Sequence, residues 1–183
     1  MIHAARLPRT PVPKELSLFP AGFYRPYELA AQHIFLLCSQ LRDAERAHGA
    51  DPGVCKLTYR LKTPSSIGGK LRARGLPVTP LSAERALHDV AGVRVVFADV
   101  DQVYRFAALL RKAPGIEVYS ERDYIKHPKR SGYRSLHLIL HVPIHIGKQT
   151  MCISAEVQLR TASMDTWANI EHDAIYKPVR VSR

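Results

Sequence analysis

A chain of 183 residues, 46% of them hydrophobic, is one domain long and apolar enough to bury a core. Its formal net charge of +11 favours an anionic partner, whether nucleotide, nucleic acid or anionic membrane surface, although a solvated basic surface would give the same composition. Three scattered cysteines without C-x-x-C spacing, an N-terminus without an apolar h-region and no run of bilayer length exclude a disulfide framework, a secretory signal and a membrane span; a soluble, cytoplasmic protein is expected.

Residues 1–21 carry Pro8, Pro11, Pro13 and Pro20 and read as an extended Pro-rich arm. From 25 to 48 the spacing of Leu29, His33, Leu36, Leu37, Leu41 and Ala44 predicts a helix, with Pro26 in its first turn and "GADPG" as its stop. "KLTYRLK" (56–62) alternates as a strand, with Leu57, Tyr59 and Leu61 on one face and Thr58, Arg60 and Lys62 on the other. A helix follows, with Thr63 as N-cap, Pro64 at its first position and Gly75 at its end. "LSAERALHDV" reads as a short helix capped by Ser82, and "GVRVVFA" (92–98) as a strand with Val93, Val95 and Phe97 on one face. "DVDQVYRFAALLRKA" is a helix opened by Asp99, and "IEVYSERDY" a strand. Residues 133–144 and 150–160 form two strands of a hairpin turning at "HIGK". The final segment, "SMDTWANIEHDAIYK", is a helix with Trp167, Ile170, Ala174 and Ile175 facing inward. Helices mixed with lone strands and a hairpin predict an α+β domain built on a mixed β-sheet flanked by helices.

Along residues 150–160 the alternation puts Met151, Ile153, Ala155, Val157 and Leu159 on one face. Cys152, Ser154, Glu156, Gln158 and Arg160 take the other, a face that in an antiparallel sheet is commonly just wet. Arg60 and Lys62 precede a helix N-terminus, and Ser66, Lys70 and Arg74 follow on one stripe of that helix. Free N–H groups and the helix dipole there suit a polyphosphate, and a basic helix face in water is the simpler alternative. Asp89, between a short helix and a strand, is either a helix-to-loop tether or, with Glu156, a sparse two-carboxylate site for Mg²⁺. Arg94 points to the face opposite Val93 and Val95. Arg122, Lys126, Lys129, Arg130 and Arg134 surround a small turn with Tyr124 and Tyr133, and Gly132 lets the chain turn before Tyr133. Tyr133 is either a strand-start tyrosine packed at the sheet edge or a face for a base. His137 and His141 share a strand face about 13 Å apart, too far to clasp one ion with His145, so no zinc site is expected.

Four segments carry a further resemblance: "YRLKTPSSIGGKLRARG", "LHDVAGVRVVFADVDQVYRFAALL", "RDYIKHPKRSGYRSLHLIL" and "AEVQLRTASMDTWANIEHDAIYK". In this order, over most of residues 57–177, they are similar to the small alarmone synthetases, the single-domain branch of the RelA/SpoT family. The resemblance implies a nucleotidyltransferase-like fold over residues 22–183. It also implies transfer of the β,γ-pyrophosphate of ATP to the 3′-hydroxyl of GDP or GTP, with Mg²⁺, to make (p)ppGpp. It assigns Asp89 to the metal and Glu156 to the metal or to the proton of the attacking hydroxyl. Arg60, Lys62, Ser66, Lys70 and Arg74 would hold ATP phosphates, with Arg60 and Arg94 flanking the adenine. Tyr133 would stack on guanine. Lys126, Lys129, Arg134 and His137 would lie near the acceptor phosphates or the transferred group, and Gln158 and Arg160 would complete the floor.

Thr63 stands where the family usually has Ser, and Gly69 where an acidic residue is common. The C-terminal helices with which many relatives form a tetramer are not expected after Arg183, which leaves an oligomer open but removes that route to it. Hydrolase motifs of the long bifunctional relatives are not expected either. Two other functions compete. A toxin-type relative would pyrophosphorylate the 3′ end of tRNA, for which the +11 charge is apt. A non-catalytic RNA-binding module would use the same charge and the interleaved tyrosines, but would give Asp89 and Glu156 no role.

Overall fold

In the computed structural model, which describes residues 18–176, the chain begins with helix α1 (Ala21–Ala47), strand β1 (Val54–Leu61), helix α2 (Pro64–Ala73) and helix α3 (Pro80–Ala86). It continues through β2 (Ala91–Phe97), α4 (Val100–Arg111), β3 (Glu117–Asp123), β4 (Leu136–Ile146), β5 (Gln149–Thr161) and α5 (Ala162–Tyr176). Most of the predicted N-terminal arm, residues 1–17, lies outside the described residues, and Ala21 already belongs to α1. The sheet order is β1-β2-β5-β4-β3; β2 and β5 run parallel and the other pairs antiparallel, which makes the sheet mixed, as expected. The β4–β5 hairpin closes on Gly147–Lys148 between the paired residues Ile146 and Gln149, with Gly147 at φ 60°, where glycine fits without a Cβ clash.

One face of the sheet is apolar. Val93, Val95, Phe97, Leu138, Leu140, Val142, Ala155, Val157 and Leu159 are buried in one core with Val103, Phe106, Ala107 and Leu110 of α4. Burial of this apolar surface is the main force that holds the layers together. Asp99 caps α4 through a full capping box with Gln102. Ile67 and Leu71 of α2 enter the same core, which turns the opposite, basic stripe of that helix outward.

Three local expectations are corrected. Helix α1 starts four residues earlier than predicted, with Pro26 inside it. Its buried stripe is Phe23, Tyr27, Ala30, Ala31, Ile34 and Cys38; His33 faces solvent and Leu36 is 59% exposed. Phe19, Phe23 and Tyr27 cluster with ring centroids 5.1–5.2 Å apart, and the paired alanines contribute small side chains to the same buried stripe. Helix α3 is capped by Thr79, whose hydroxyl accepts the Ser82 N–H at 3.1 Å, so Ser82 lies inside the first turn. Pro80 explains the shift: the residue before a proline is driven to extended backbone, the conformation of an N-cap. On α5, Trp167 and Ile170 do not face inward; they are 51% and 59% exposed, while Asp165 takes the inward position over the polar face of the sheet. Ala174 and Ile175 have side chains outside the described residues. Among the described residues no helix is long and apolar enough to cross a membrane.

Candidate active site

The register of the sheet assembles the site. On the polar face Thr58, Arg94, Gln158, His137 and Arg122 are successive cross-strand partners, one from each strand from β1 to β3. One pleat along, Arg60, Gly92, Glu156 and Ile139 form a second row. Gly92 has no side chain, so the space between Arg60 and Glu156 stays open. Asp89 lies three residues before Gly92, just ahead of the parallel β2·β5 pairing that sets Gly92 beside Glu156.

Asp89 and Glu156 thus line one cavity of about 520 Å³, together with Arg60, Lys70, Arg94, Lys129, Tyr133, His137, Gln158 and Arg160. Lys62 lies at its edge, where its ammonium is 2.9 Å from Asp89 Oδ2; Lys70 reaches the same oxygen at 2.6 Å. Burial alone would push the Asp89 carboxyl up, but these two ammonium groups outweigh it and hold the group below its ordinary value. Its other oxygen, Oδ1, is buried and has no hydrogen-bond partner. Glu156 is held on both oxygens: His137 Nδ1 lies 2.8 Å from Oε1, and Gln158 Nε2 donates to Oε2 at 2.7 Å. Burial raises this carboxyl too, and the contacts to His137 and Gln158 win, leaving it ionised below its ordinary value.

The floor is charged and buried. Arg160 is 1% exposed, with Nη2 2.8 Å from Asp165 Oδ1, and Arg94 approaches the same oxygen at 3.4 Å. The contact is one of charge rather than of well-directed hydrogen bonds, since Arg160 Nη2 and Asp165 Oδ1 find no hydrogen-bond partner. Burial, with Arg94 nearby, lowers the Arg160 pKa from its ordinary value.

The loop between β3 and β4 is closed on itself. Tyr124 N–H donates to the Ser135 carbonyl at 2.9 Å and Gly132 N–H to the Lys129 carbonyl at 2.9 Å, with Gly132 at φ 83°. Asp123 Oδ1 accepts the N–H groups of Ile125 and Lys126, each at 2.9 Å, and its Oδ2 takes the Tyr104 hydroxyl at 2.9 Å. The Lys129 ammonium lies 4.8 Å from the Tyr124 ring centroid and 4.7 Å from that of Tyr133, cation–π distances.

Besides Lys62 at its edge, four residues that the resemblance places at the substrates lie off the cavity wall. Ser66 is in the first turn of α2, bonded to the Thr63 hydroxyl; the Arg74 guanidinium donates to the Ala86 carbonyl. Lys126 sits 5.2 Å from the Tyr104 ring and 3.8 Å from Asp123, and Arg134 is exposed. Conversely, Arg122, Tyr124, Ala168, Asn169 and Glu171 line the cavity and had no assigned role. The strand period could have found Arg122, the cross-strand partner of His137; the α5 residues carry no such signal, because their approach is set by tertiary packing. The three regularly spaced histidines separate: His137 enters the cavity, His141 stacks on Tyr119 with centroids 4.4 Å apart, and His145 bonds Thr150 at 2.9 Å.

Residues 59–180 match the family model described as "Region found in RelA / SpoT proteins". The chain is 35% identical over 130 residues to GTP pyrophosphokinase YwaC of Bacillus subtilis, covering 71% of this chain and 61% of that protein. It is 30% identical over 155 residues to GTP pyrophosphokinase YjbM of the same organism, covering 85% and 72%. The fold superposes on the small alarmone synthetase 1 from Bacillus subtilis bound to its product pppGpp with a TM-score of 0.79 at 30% identity, over 85% of this chain and 79% of that one. The match spans two thirds of the sequence and includes every residue that lines the cavity, so the chain belongs to the RelA/SpoT family.

Proposed function

We propose that the chain is a GTP pyrophosphokinase of the small alarmone synthetase type, working in the cytoplasm, that transfers the β,γ-pyrophosphate of ATP to the 3′-hydroxyl of GDP or GTP. The observation that carries this reading is the pairing of Asp89 and Glu156 in one cavity walled by Arg60, Lys70, Arg94, Lys129 and Arg160. Two polyanionic substrates need such a wall, and catalysis of this kind is mostly alignment and charge neutralisation. The names of the relatives and the pppGpp-bound structure support the same substrates. They add nothing to the readings as a tRNA-modifying enzyme or an RNA-binding module.

Arg60 and Arg94, offset by one row on adjacent strands, would flank the adenine, and Lys62 and Lys70 would turn from Asp89 to the donor phosphates. Ser66 and Arg74, at the two ends of α2, would reach the phosphates only with a change of side-chain partner. Tyr133 would stack on the acceptor base, displacing the Lys129 ammonium toward the acceptor phosphates, with Lys126 and Arg134 at the outer rim. His137, Gln158 and Arg160 would shape the floor under the reacting groups. The Glu156 carboxylate takes the proton of the 3′-hydroxyl. That oxygen then attacks the β-phosphorus in line, the bond between the β-phosphorus and the oxygen bridging it to the α-phosphate breaks, and AMP leaves.

The donor set also fits Mg²⁺. Asp89 Oδ1 is a buried carboxylate oxygen without a partner, and Glu156 lines the same cavity. Among the described residues no group of three or more metal-ligating side chains gathers, which matches an ion that takes one or two carboxylates and completes its shell with water and phosphate oxygens. When bound, Mg²⁺ would neutralise charge developing on the phosphates. Incubation with ATP, Mg²⁺ and each of GMP, GDP, GTP and tRNA, followed by chromatography, tests the proposal; product from GDP or GTP is expected, and product from tRNA alone would overturn it.

A further inference from the structure

Tyr133, His137 and Glu156 form one continuous hydrogen-bonded chain. The Tyr133 hydroxyl is 2.8 Å from His137 Nε2, and His137 Nδ1 is 2.8 Å from Glu156 Oε1. For a neutral imidazole, the carboxylate sets the direction of each bond. An ionised carboxylate only accepts, so His137 Nδ1 carries the proton. In a neutral imidazole the other nitrogen is then an acceptor, so the Tyr133 O–H donates to it. Tyr124 meets the ring edge-on with centroids 5.2 Å apart, and Tyr133 does so at 5.7 Å. Gln158 fixes the second carboxylate oxygen.

We propose that the Tyr133 hydroxyl is a positioning group for catalysis: by its bond to Nε2 it holds the His137 ring in the orientation from which Nδ1–H fixes the Glu156 carboxylate for reaction. The tyrosine whose ring meets the acceptor base therefore also sets the group that takes the acceptor's proton. This rests on the reading of Glu156 as that proton acceptor. It goes beyond a stacking role, for which a phenylalanine would serve equally well.

The test is Tyr133→Phe, which keeps the ring and removes only the hydroxyl. Loss of one such hydrogen bond predicts a fall in kcat of roughly tenfold with the KM for GDP within about twofold. His137→Asn keeps a nitrogen donor near Glu156 but cannot reach Tyr133, so it should lower kcat similarly. The double variant should be little worse than either single one, as expected of groups acting in series. An independent readout is the imidazole ¹⁵N spectrum of His137 in protein free of nucleotide and metal. Nδ1 should be the protonated nitrogen in the wild type, and the Nε2 resonance should shift in Tyr133→Phe as its hydrogen bond is lost. An unchanged kcat in Tyr133→Phe, or an Nε2-protonated ring in the wild type, would overturn the inference. Wild-type protein that transfers nothing to guanine nucleotides would instead overturn the proposed function, and the spectrum would still report the tautomer.

Discussion

The Lys70 ammonium closes on Asp89 Oδ2 at 2.6 Å, and that contact ties helix α2 to the start of β2 at the edge of the cavity. Lys62 shares the oxygen, so one carboxylate restrains two cations. Asp89→Asn should reduce pyrophosphate transfer by at least about a hundredfold, since phosphoryl-type transfer depends on charge alignment. It should also change acid stability. The Asp89 carboxyl is held below its ordinary value, so its contribution to stability is present above about pH 4 and is lost as the pH falls through the lower native value. Denaturation followed from pH 6 to pH 2 should therefore show a shallower acid loss in Asp89→Asn than in the wild type; parallel curves would contradict the pairing.

Glu156→Gln keeps the size of the side chain and an oxygen that can accept from Gln158, but removes the proton acceptor. A fall in kcat of about 10²–10⁴ is expected, with the thermal midpoint nearly unchanged. Steady-state kinetics beside a melting curve decides the matter: full activity would remove Glu156 from the chemistry.

Arg160, buried beneath the cavity, depends on Asp165 for its counter-charge. Asp165→Ala leaves that cation buried and unpaired, which should cost about 3–5 kcal/mol in chemical denaturation. Adding Arg160→Met to the same chain should recover part of the loss, because the uncompensated charge is then gone. No loss in the single variant would mean that the pair contributes nothing.

Thr79, rather than Ser82, caps α3. Thr79→Ala should cost about 1 kcal/mol, and Ser82→Ala should cost less, by urea denaturation. The reverse order would restore the reading that placed the cap three residues on.

Strand periodicity was the most reliable guide to the site. Alternation alone put Glu156, Gln158 and Arg160 on one face, and the register then aligned Glu156 with Gly92, and Gln158 with Arg94 and His137. Helical faces were harder. Leucines are the largest aliphatic residues that recur along α1, yet Ala30, Ala31 and Phe23 face the core and Leu36 does not. Trp167 looked like a core residue, but a methyl placed on Gly132 would meet its Cζ2 at 3.4 Å, so the indole covers the loop before Tyr133. Residues 168, 169 and 171 reach the cavity for a similar reason: the polar face of the sheet, not the core, lies under α5, and no local pattern in the sequence encodes that.

The most direct measurement is the fate of the label from γ-³²P-ATP incubated with Mg²⁺ and GDP or GTP. Label on the 3′ position of the guanine nucleotide, with AMP released in equal amount and both lost in Glu156→Gln, is the predicted result. Label recovered only as free phosphate, or only on tRNA, would contradict the account.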